Sequence, residues 1–192
     1  FNTVLGLSRH STPAFDLHGE DSIRETAAHI STLGTPSLVV VATGVLHRPE
    51  KTFRAIDPAE MAKAFAVKAI GPALIMKHVL PLMPRHERSV FALLSAKVGS
   101  ISDNRLGGWH SYRASKAALN QLVRTTAVEL RRSHPAAICV AVHPGTVDTG
   151  LSKDFAKTGL QVQQPQDAAQ NILEGLSKLE PEQSGCFLDR FG

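Results

Sequence analysis

Residues 37–44 read SLVVVATG, and this segment is the clearest indication of the fold in the sequence. Its centre is an unbroken apolar run rich in β-branched valine, which is typical of a strand buried on both faces of a sheet. Residues 89–94 and 137–142 form two further runs of the same kind. Strands that are apolar along their whole length indicate a parallel sheet rather than an antiparallel one with a solvent face.

Helical patterns separate these strands. Helices are expected over residues 21–33, 58–82, 109–132 and 165–179. Gly71-Pro72 predicts a kink or break inside the second helix, and Asp21 or Ser22 is a plausible N-cap of the first. Short strands are expected at residues 2–7, 14–17 and 186–189. This alternation predicts an α/β protein, a Rossmann-type doubly wound parallel sheet with helices on both faces, in a single domain over residues 1–192.

Composition narrows the class of protein. The net charge of +4 and pI near 9.3 are mildly basic, but lysines and arginines form no dense run, so no nucleic-acid partner is expected. No apolar stretch is long enough to predict a membrane partner, and no Cys/His spacing predicts a metal site. Cys139 and Cys186 lie in apolar segments and are expected to be reduced, which indicates a cytoplasmic location.

The carboxyl ends of parallel strands meet at one edge of the sheet, where ligands bind. Each predicted strand here ends in small or polar residues. The four ends expected to line that edge are Ser8-Arg9, Ala42-Thr43-Gly44, Ser95 and His143-Pro144-Gly145.

Tyr112 is the one tyrosine of the chain, and Lys116 follows it four residues later in a predicted helix. Residues four apart lie on the same helix face, one turn apart. An ammonium beside a phenol favours the phenolate and lowers the tyrosine pKa from its usual value of about 10. Such a tyrosine can exchange a proton with an oxygen atom. The spacing alone is weak evidence, because it arises by chance roughly one time in twenty at ordinary composition.

Together these segments resemble the short-chain dehydrogenase/reductase family. Tyr112 and Lys116 match its Y-x-x-x-K motif, and residues 143–149, HPGTVDT, match its P-G-x-V-x-T motif. Residues 41–44, VATG, lie at its N-N-A-G position. The loop at residues 99–109 resembles the C-factor-like and sniffer-like carbonyl reductases.

The resemblance implies an oxidoreductase that moves hydride between NADP(H) and a small carbonyl or alcohol substrate. Tyr112 would be the general acid or base. Lys116 would lower the tyrosine pKa and bind the nicotinamide ribose. Other cofactor contacts would come from Asp16, Leu17, Ala42, Thr43, Gly44, Pro144, Gly145, Val147 and Thr149.

Arg9 bears on cofactor choice. NAD-preferring relatives carry a carboxylate after the second strand, where it binds the ribose hydroxyls. Ser8 takes that place here and Arg9 follows. Because a guanidinium suits a 2′-phosphate, NADP(H) is expected over NAD(H).

The chain departs from the family pattern at two helper positions. The catalytic serine usually lies three residues before the loop glycine, which is Ala96 when counted from Gly99, so neighbouring Ser95 is the candidate substitute. Lys68 occupies the position of an asparagine that anchors a proton-relay water. These changes leave open an alternative function as a weakly catalytic or non-catalytic NADP(H)-binding sensor.

The family's sequences begin with a strand and a T-G-x-x-x-G-x-G turn, and neither is found in this sequence, which starts near the family's second strand. We therefore expect the sequence to be truncated at its N-terminus. Residues 58–82 and 109–132 match helices that form dimer faces in many relatives, which makes a homodimer one expectation. The substrate depends on the loops at residues 100–108 and 150–164.

Overall fold

Residues 3–45, 49–149 and 162–192 are described by the computed structural model. The strands are β1 (Leu38–Val41), β2 (Ser89–Leu94), β3 (Ala137–His143), β4 (Thr146–Val147), β5 (Val162–Gln163) and β6 (Phe187–Asp189). Four of them form one parallel sheet in the order β1-β2-β3-β6, and β4 pairs with β5 in a separate parallel ribbon. Within the large sheet Val41 lies opposite Leu93, which lies opposite Ala141, so β1, β2 and β3 end at one edge.

The helices are α1 (Glu20–Leu33), α2 (Pro58–Phe65), α3 (Gly71–Val79), α4 (His110–Ser133) and α5 (Pro165–Ser177). Short 3₁₀ turns occupy Phe53–Ala55, Leu80–Leu82, Lys97–Gly99 and Pro181–Gln183.

Side chains of the sheet alternate between two apolar clusters. Phe91 and Leu93 of β2 pack in one cluster together with buried residues of α1, α3 and α4. Val90 and Ala92 point to the other face, where they pack in a cluster with α5. The predicted α/β fold, a parallel sheet with helices on both faces, is therefore confirmed.

The predicted break in the long helix takes the form of a π-helix, Ala66–Ile70, between α2 and α3. Pro72 has no N–H to donate to the carbonyl of Lys68 four residues earlier, and the Gly71 N–H bonds the Ala66 carbonyl five residues back. Upstream, the Asp57 side chain caps α2 by accepting from the backbone N–H groups of residues 59 and 60.

Two predicted strands are wrong. Residues 3–7 and 14–17 form no strand, because a strand needs a hydrogen-bonded neighbour and these segments have none in the described chain. Instead, the Ser8 carbonyl accepts from the Phe15 N–H (2.9 Å), and the Ser22 hydroxyl donates to the Ala14 carbonyl (3.0 Å). Ser22 is thus used to hold this turn, and α1 begins earlier than predicted, after Gly19.

The helical run Pro58–Leu82 is long and apolar enough to cross a membrane, but half of its most apolar window is buried inside the protein. Core helices of soluble proteins have the same properties, so this run is weak evidence for a membrane span. Cys139 and Cys186 are both free thiols, and Cys139 is fully buried in β3.

Candidate active site

Helix α4 carries Tyr112, and its first turn is tied to the loop before it. Trp109 precedes the helix in the left-handed backbone region (φ 55°), and its N–H donates to the Glu50 carbonyl (2.7 Å). The Arg113 guanidinium donates to the carbonyls of Gly108 (3.0 Å) and Val98 (3.3 Å). Because Trp109 adopts this conformation, α4 begins at His110, one residue later than predicted.

Gly99 brings the loop after β2 into direct contact with α4. A Cβ atom on Gly99 would lie 2.8 Å from the Lys116 carbonyl carbon and 2.9 Å from its Cβ. Neither can move without shifting the helix, so only glycine permits this approach. The loop and the Tyr112–Lys116 segment are therefore held at a fixed separation.

Lys116 is buried against the end of β2. Its Nζ donates to the Leu94 carbonyl (2.7 Å), and the residue is 5% exposed. Burial, with a smaller contribution from the neighbouring charge of Lys68, lowers the pKa of Lys116 to about 8.

Tyr112 is half-buried and packs edge-on against Trp109, with ring centroids 5.8 Å apart at 76°. Burial raises the pKa of Tyr112, which is opposite to the lowering expected from the sequence. The physical reason is that desolvation disfavours the phenolate, while the Lys116 ammonium is hydrogen-bonded to the Leu94 carbonyl. Tyr112 is accordingly a protonated phenol at neutral pH.

Ser95 follows β2 and is almost fully buried. Its hydroxyl donates to Asn120 Oδ1 (2.6 Å), and its N–H donates to the Val142 carbonyl (2.7 Å). Sequence reasoning missed Asn120, although it lies four residues after Lys116 and therefore on the face of α4 that carries Tyr112 and Lys116. The proton that Ser95 would give to a substrate is engaged by Asn120.

Lys68 is 1% exposed, and its Nζ lies 5.4 Å from the centroid of the Tyr112 ring. Among the described residues this Nζ has no hydrogen-bond acceptor. Burial lowers the pKa of Lys68 to about 8, against a smaller opposing effect of Glu50. The structure thus brings the residue at the family's asparagine position next to Tyr112.

A cleft opens beside Tyr112 and Lys68. Its other lining residues are Pro49, Glu50, Ala55, Asp57, Glu60, Ala64 and Ser111. Glu50 accepts from both the hydroxyl and the N–H of Ser111, the residue before Tyr112. Burial acts to raise the pKa of Glu50, but the Ser111 bonds outweigh it and the pKa lies below its usual value.

The segment after β3 is built around Gly145, whose φ is +80°. A Cβ there would lie 2.6 Å from Arg190 Nη1 and 2.7 Å from Gln163 Nε2, so a larger residue would displace both side chains. Gln163 Nε2 also donates to the Pro144 carbonyl (2.6 Å). Val147 pairs with Gln163 across the β4–β5 ribbon, which fixes the segment beyond the strand end.

Other predicted cofactor residues lie at the same edge. Ala42 and Gly44 are exposed directly after β1. Apart from the residues on either side of Gly44, no described residue has an atom within 4 Å of a Cβ placed on it. Three buried polar atoms near strand ends have no hydrogen-bond partner among the described residues: Thr43 Oγ1 after β1, His143 Nδ1 at the last residue of β3 and Arg190 Nε after β6. Unsatisfied polar atoms beside open backbone fit a site that takes a polar ligand such as a dinucleotide.

The remaining predicted residues lie in less enclosed positions. Ser8 and Arg9 are exposed in a turn and do not follow a strand. Asp16 is exposed and accepts from the His18 N–H (3.0 Å), while Leu17 packs against the apolar core. Thr149 is exposed. Most of the predicted substrate loop at residues 150–164 lies outside the described residues. The described residues contain no group of three or more His, Cys, Asp or Glu side chains that could hold a metal ion.

Comparisons of the sequence identify relatives. A family model described as enoyl-(acyl carrier protein) reductase matches residues 6–178. The 1-hydroxy-2-glutathionyl-2-methyl-3-butene dehydrogenase of Rhodococcus sp. (strain AD45) is 30% identical over 176 residues, 91% of this chain and 75% of that protein. The C-signal protein of Myxococcus xanthus is 34% identical over 137 residues, 71% of this chain and 78% of that protein.

Solved structures share the fold. The carbonyl reductase Sniffer of D. melanogaster superposes with a TM-score of 0.83 at 23% identity, over 93% of this chain and 75% of that one. The NADPH-bound carbonyl reductase from chicken fatty liver gives a TM-score of 0.81 at 26% identity, over 93% of this chain and 74% of that one.

The sheet, its covering helices and the ligand edge define a Rossmann-type α/β protein. The chain belongs to the short-chain dehydrogenase/reductase family, and the C-signal protein is among its relatives in sequence.

Proposed function

We propose that this protein is an NADP(H)-dependent oxidoreductase that interconverts a small carbonyl compound and the corresponding alcohol. The observation that carries the proposal is the placement of Tyr112 and Lys116 on one face of α4, with Lys116 buried beside the end of β2 and Tyr112 half-buried. The relatives support it, since they include a dehydrogenase and an NADPH-bound carbonyl reductase.

Tyr112 acts as the general acid in carbonyl reduction. Burial keeps its phenol protonated at neutral pH, so a proton is available for the carbonyl oxygen as that oxygen gains negative charge. In alcohol oxidation the same oxygen works as the base. Lys116 is proposed to stabilise the phenolate that forms, by exchanging the Leu94 carbonyl for the phenolate oxygen as its hydrogen-bond acceptor.

Ser95 is the proposed hydroxyl donor of the loop. The Ser95 hydroxyl donates to Asn120 Oδ1 in this structure, so it has to exchange Asn120 for the substrate oxygen as its acceptor when substrate binds. Ala96, at the family's serine position, has no polar side-chain atom to contribute. Ser95 is therefore the nearest hydroxyl in the sequence to that position.

The edge after β1 and β3 is the proposed cofactor site. When bound there, NADPH supplies the hydride. The exposed backbone at Ala42 and Gly44 would admit the adenosine half, and the Thr43 hydroxyl has no hydrogen-bond partner among the described residues. Pro144, Gly145, Val147 and Thr149 are proposed to border the nicotinamide. Asp16 and Leu17 are proposed for the adenine, and Ser8 and Arg9 for the 2′-phosphate.

We also infer a cytoplasmic location, supported by the free thiols of Cys139 and Cys186.

The domain organisation and the oligomeric state stay predictions. We expect one domain over residues 1–192 and a homodimer formed through α4 and the helical run Pro58–Leu82. Val128 of α4 and Ile70 are exposed apolar residues on these helices. Light scattering decides the oligomeric state, and a monomer at all concentrations would exclude the dimer.

Substituting Tyr112→Phe removes only the hydroxyl of the proposed acid. We expect kcat for reduction to fall about 10²- to 10⁴-fold, the usual contribution of a general acid, with NADPH affinity retained. NADPH oxidation over a panel of aldehydes and ketones measures turnover, and fluorescence titration measures binding. Unchanged turnover in the variant would contradict the proposal. Tight NADPH binding without turnover in the unsubstituted protein would indicate a sensor instead.

Ser95→Ala tests the loop hydroxyl. We expect kcat to fall by about 10²-fold, as for loss of one donor to the developing oxyanion. Asn120→Ala frees the Ser95 proton and is expected to cost much less. Adding Ala96→Ser to the Ser95→Ala variant should restore part of the rate. If Ser95→Ala keeps full kcat, another group donates to the substrate.

Arg9→Ala tests cofactor choice. Loss of one charge-assisted contact to the 2′-phosphate should raise the Kd for NADPH about tenfold and leave the Kd for NADH unchanged. Isothermal titration with both cofactors measures the two constants. Arg24→Ala, an exposed arginine paired with Asp21 on α1, is the matched control. Tighter binding of NADH than of NADPH by the unsubstituted protein would refute the assignment.

A further inference from the structure

The residue at the N-cap of α4 offers no side-chain cap to this helix. It is Trp109, and an indole ring has no hydrogen-bond acceptor. The first turn of α4, residues 110–113, also has no acidic side chain. Because the first N–H groups of a helix have no acceptor within the helix, those of α4 need acceptors from another part of the chain.

Glu50 supplies these acceptors from the loop before α2, and it lies 61 residues before Ser111 in the chain. Its backbone carbonyl accepts from the Trp109 N–H (2.7 Å). Its carboxylate oxygen Oε1 accepts from the Ser111 N–H (3.2 Å) and from the Ser111 hydroxyl. One distant residue therefore caps α4 with both its backbone and its side chain, directly before Tyr112.

Gly108 lets the backbone of Glu50 come this close to the start of α4. Its φ is +65°, and a Cβ atom on it would lie 3.2 Å from the Glu50 carbonyl oxygen and 3.5 Å from that of Lys51. Both the backbone angle and the close approach favour glycine. Glu50 is therefore held against residues 108–111 by its backbone, and its carboxylate is not a free side chain on a loop.

The charge of Glu50 also suits this position. Burial acts to raise the pKa of its carboxyl group, but the bonds from Ser111 outweigh burial, so the group is ionised at neutral pH. A carboxylate at the N-terminus of a helix interacts favourably with the helix dipole. Asp57, another carboxylate that lines the same cleft, caps α2 instead.

Resting on the proposed function, we infer that Glu50 is a positioning residue that holds the first turn of α4 and, through it, the phenol of Tyr112. Tyr112 follows Ser111 directly, so fraying of this turn displaces the phenol. Lys116 lies one turn further along and has its own bond to the Leu94 carbonyl. Loss of the Glu50 bonds therefore displaces the tyrosine more than the lysine and disturbs their alignment.

The kinetic test compares Glu50→Ala with Glu50→Gln. Alanine removes the side-chain acceptor, so kcat for carbonyl reduction should fall about 10- to 100-fold, the cost of a misplaced reacting group, while the Kd for NADPH is unchanged. Glutamine keeps an oxygen that accepts from Ser111 and should retain most of kcat. Glu129→Ala removes an exposed carboxylate of α4 far from its first turn and should change neither constant. A rise in KM alone, or a Glu50→Gln variant as slow as Glu50→Ala, would overturn the inference.

The aromatic pair beside Glu50 provides a readout that needs no turnover. Trp109 and Tyr112 are the one tryptophan and the one tyrosine of the chain and are in edge-on contact, so the tryptophan and tyrosine bands of the near-ultraviolet circular dichroism report on this pair. Glu50→Ala should weaken these bands while the far-ultraviolet spectrum stays that of the folded protein. Glu50→Gln and Glu129→Ala should keep them. Unchanged bands in folded Glu50→Ala, even with a lower urea midpoint, would show a purely structural role and contradict the inference.

Ser111→Ala provides the same test if Glu50→Ala does not fold. It removes the hydroxyl that donates to Glu50 and keeps the N–H bond, so the near-ultraviolet bands should weaken in part. Bands identical to those of the unsubstituted protein would then refute the inference. A protein that reduces no carbonyl compound would refute the proposed function alone, because the spectra still decide whether Glu50 holds Tyr112 in place.

Discussion

The close approach of Gly99 to α4 is the constraint on which the site depends. A glycine there lets the loop after β2 lie against the Lys116 backbone, and Lys116 Nζ reaches back to the Leu94 carbonyl. One helix and one strand end are thereby joined at two points. Because Tyr112 lies one turn before Lys116 on the same helix, both contacts also fix the position of Tyr112.

The burial that results from this packing determines the direction in which the pKa values of the site residues are shifted. Desolvation raises the pKa of Tyr112 and lowers that of Lys116 and of Lys68, so the phenol stays protonated while the two lysines can lose a proton near pH 8. This arrangement suits an acid that protonates a carbonyl oxygen in a partly buried cleft.

Short sequence patterns predicted the strands and helices that depend mainly on interactions between residues close in sequence. The strands at residues 38–41, 89–94 and 137–143 are apolar along their length, and α4 consists of good helix formers, so both were predicted from the sequence. Residues 3–7 and 14–17 look β-prone but are not strands, because a strand is decided by its neighbour. Tyr112 and Lys116 were found by spacing within one helix. Asn120 beside Ser95, and the burial of Lys68, depend on contacts between distant segments that no short pattern shows.

Hydride transfer itself is the central claim, and isotopic labelling measures it directly. The protein is incubated with NADPH fully deuterated at nicotinamide C4 and with a carbonyl compound that it reduces, in ordinary water. We expect an alcohol with one deuterium on its carbinol carbon, while the hydroxyl proton comes from the solvent by way of Tyr112. Alcohol without deuterium on that carbon, or no alcohol with any carbonyl compound tested, would contradict it.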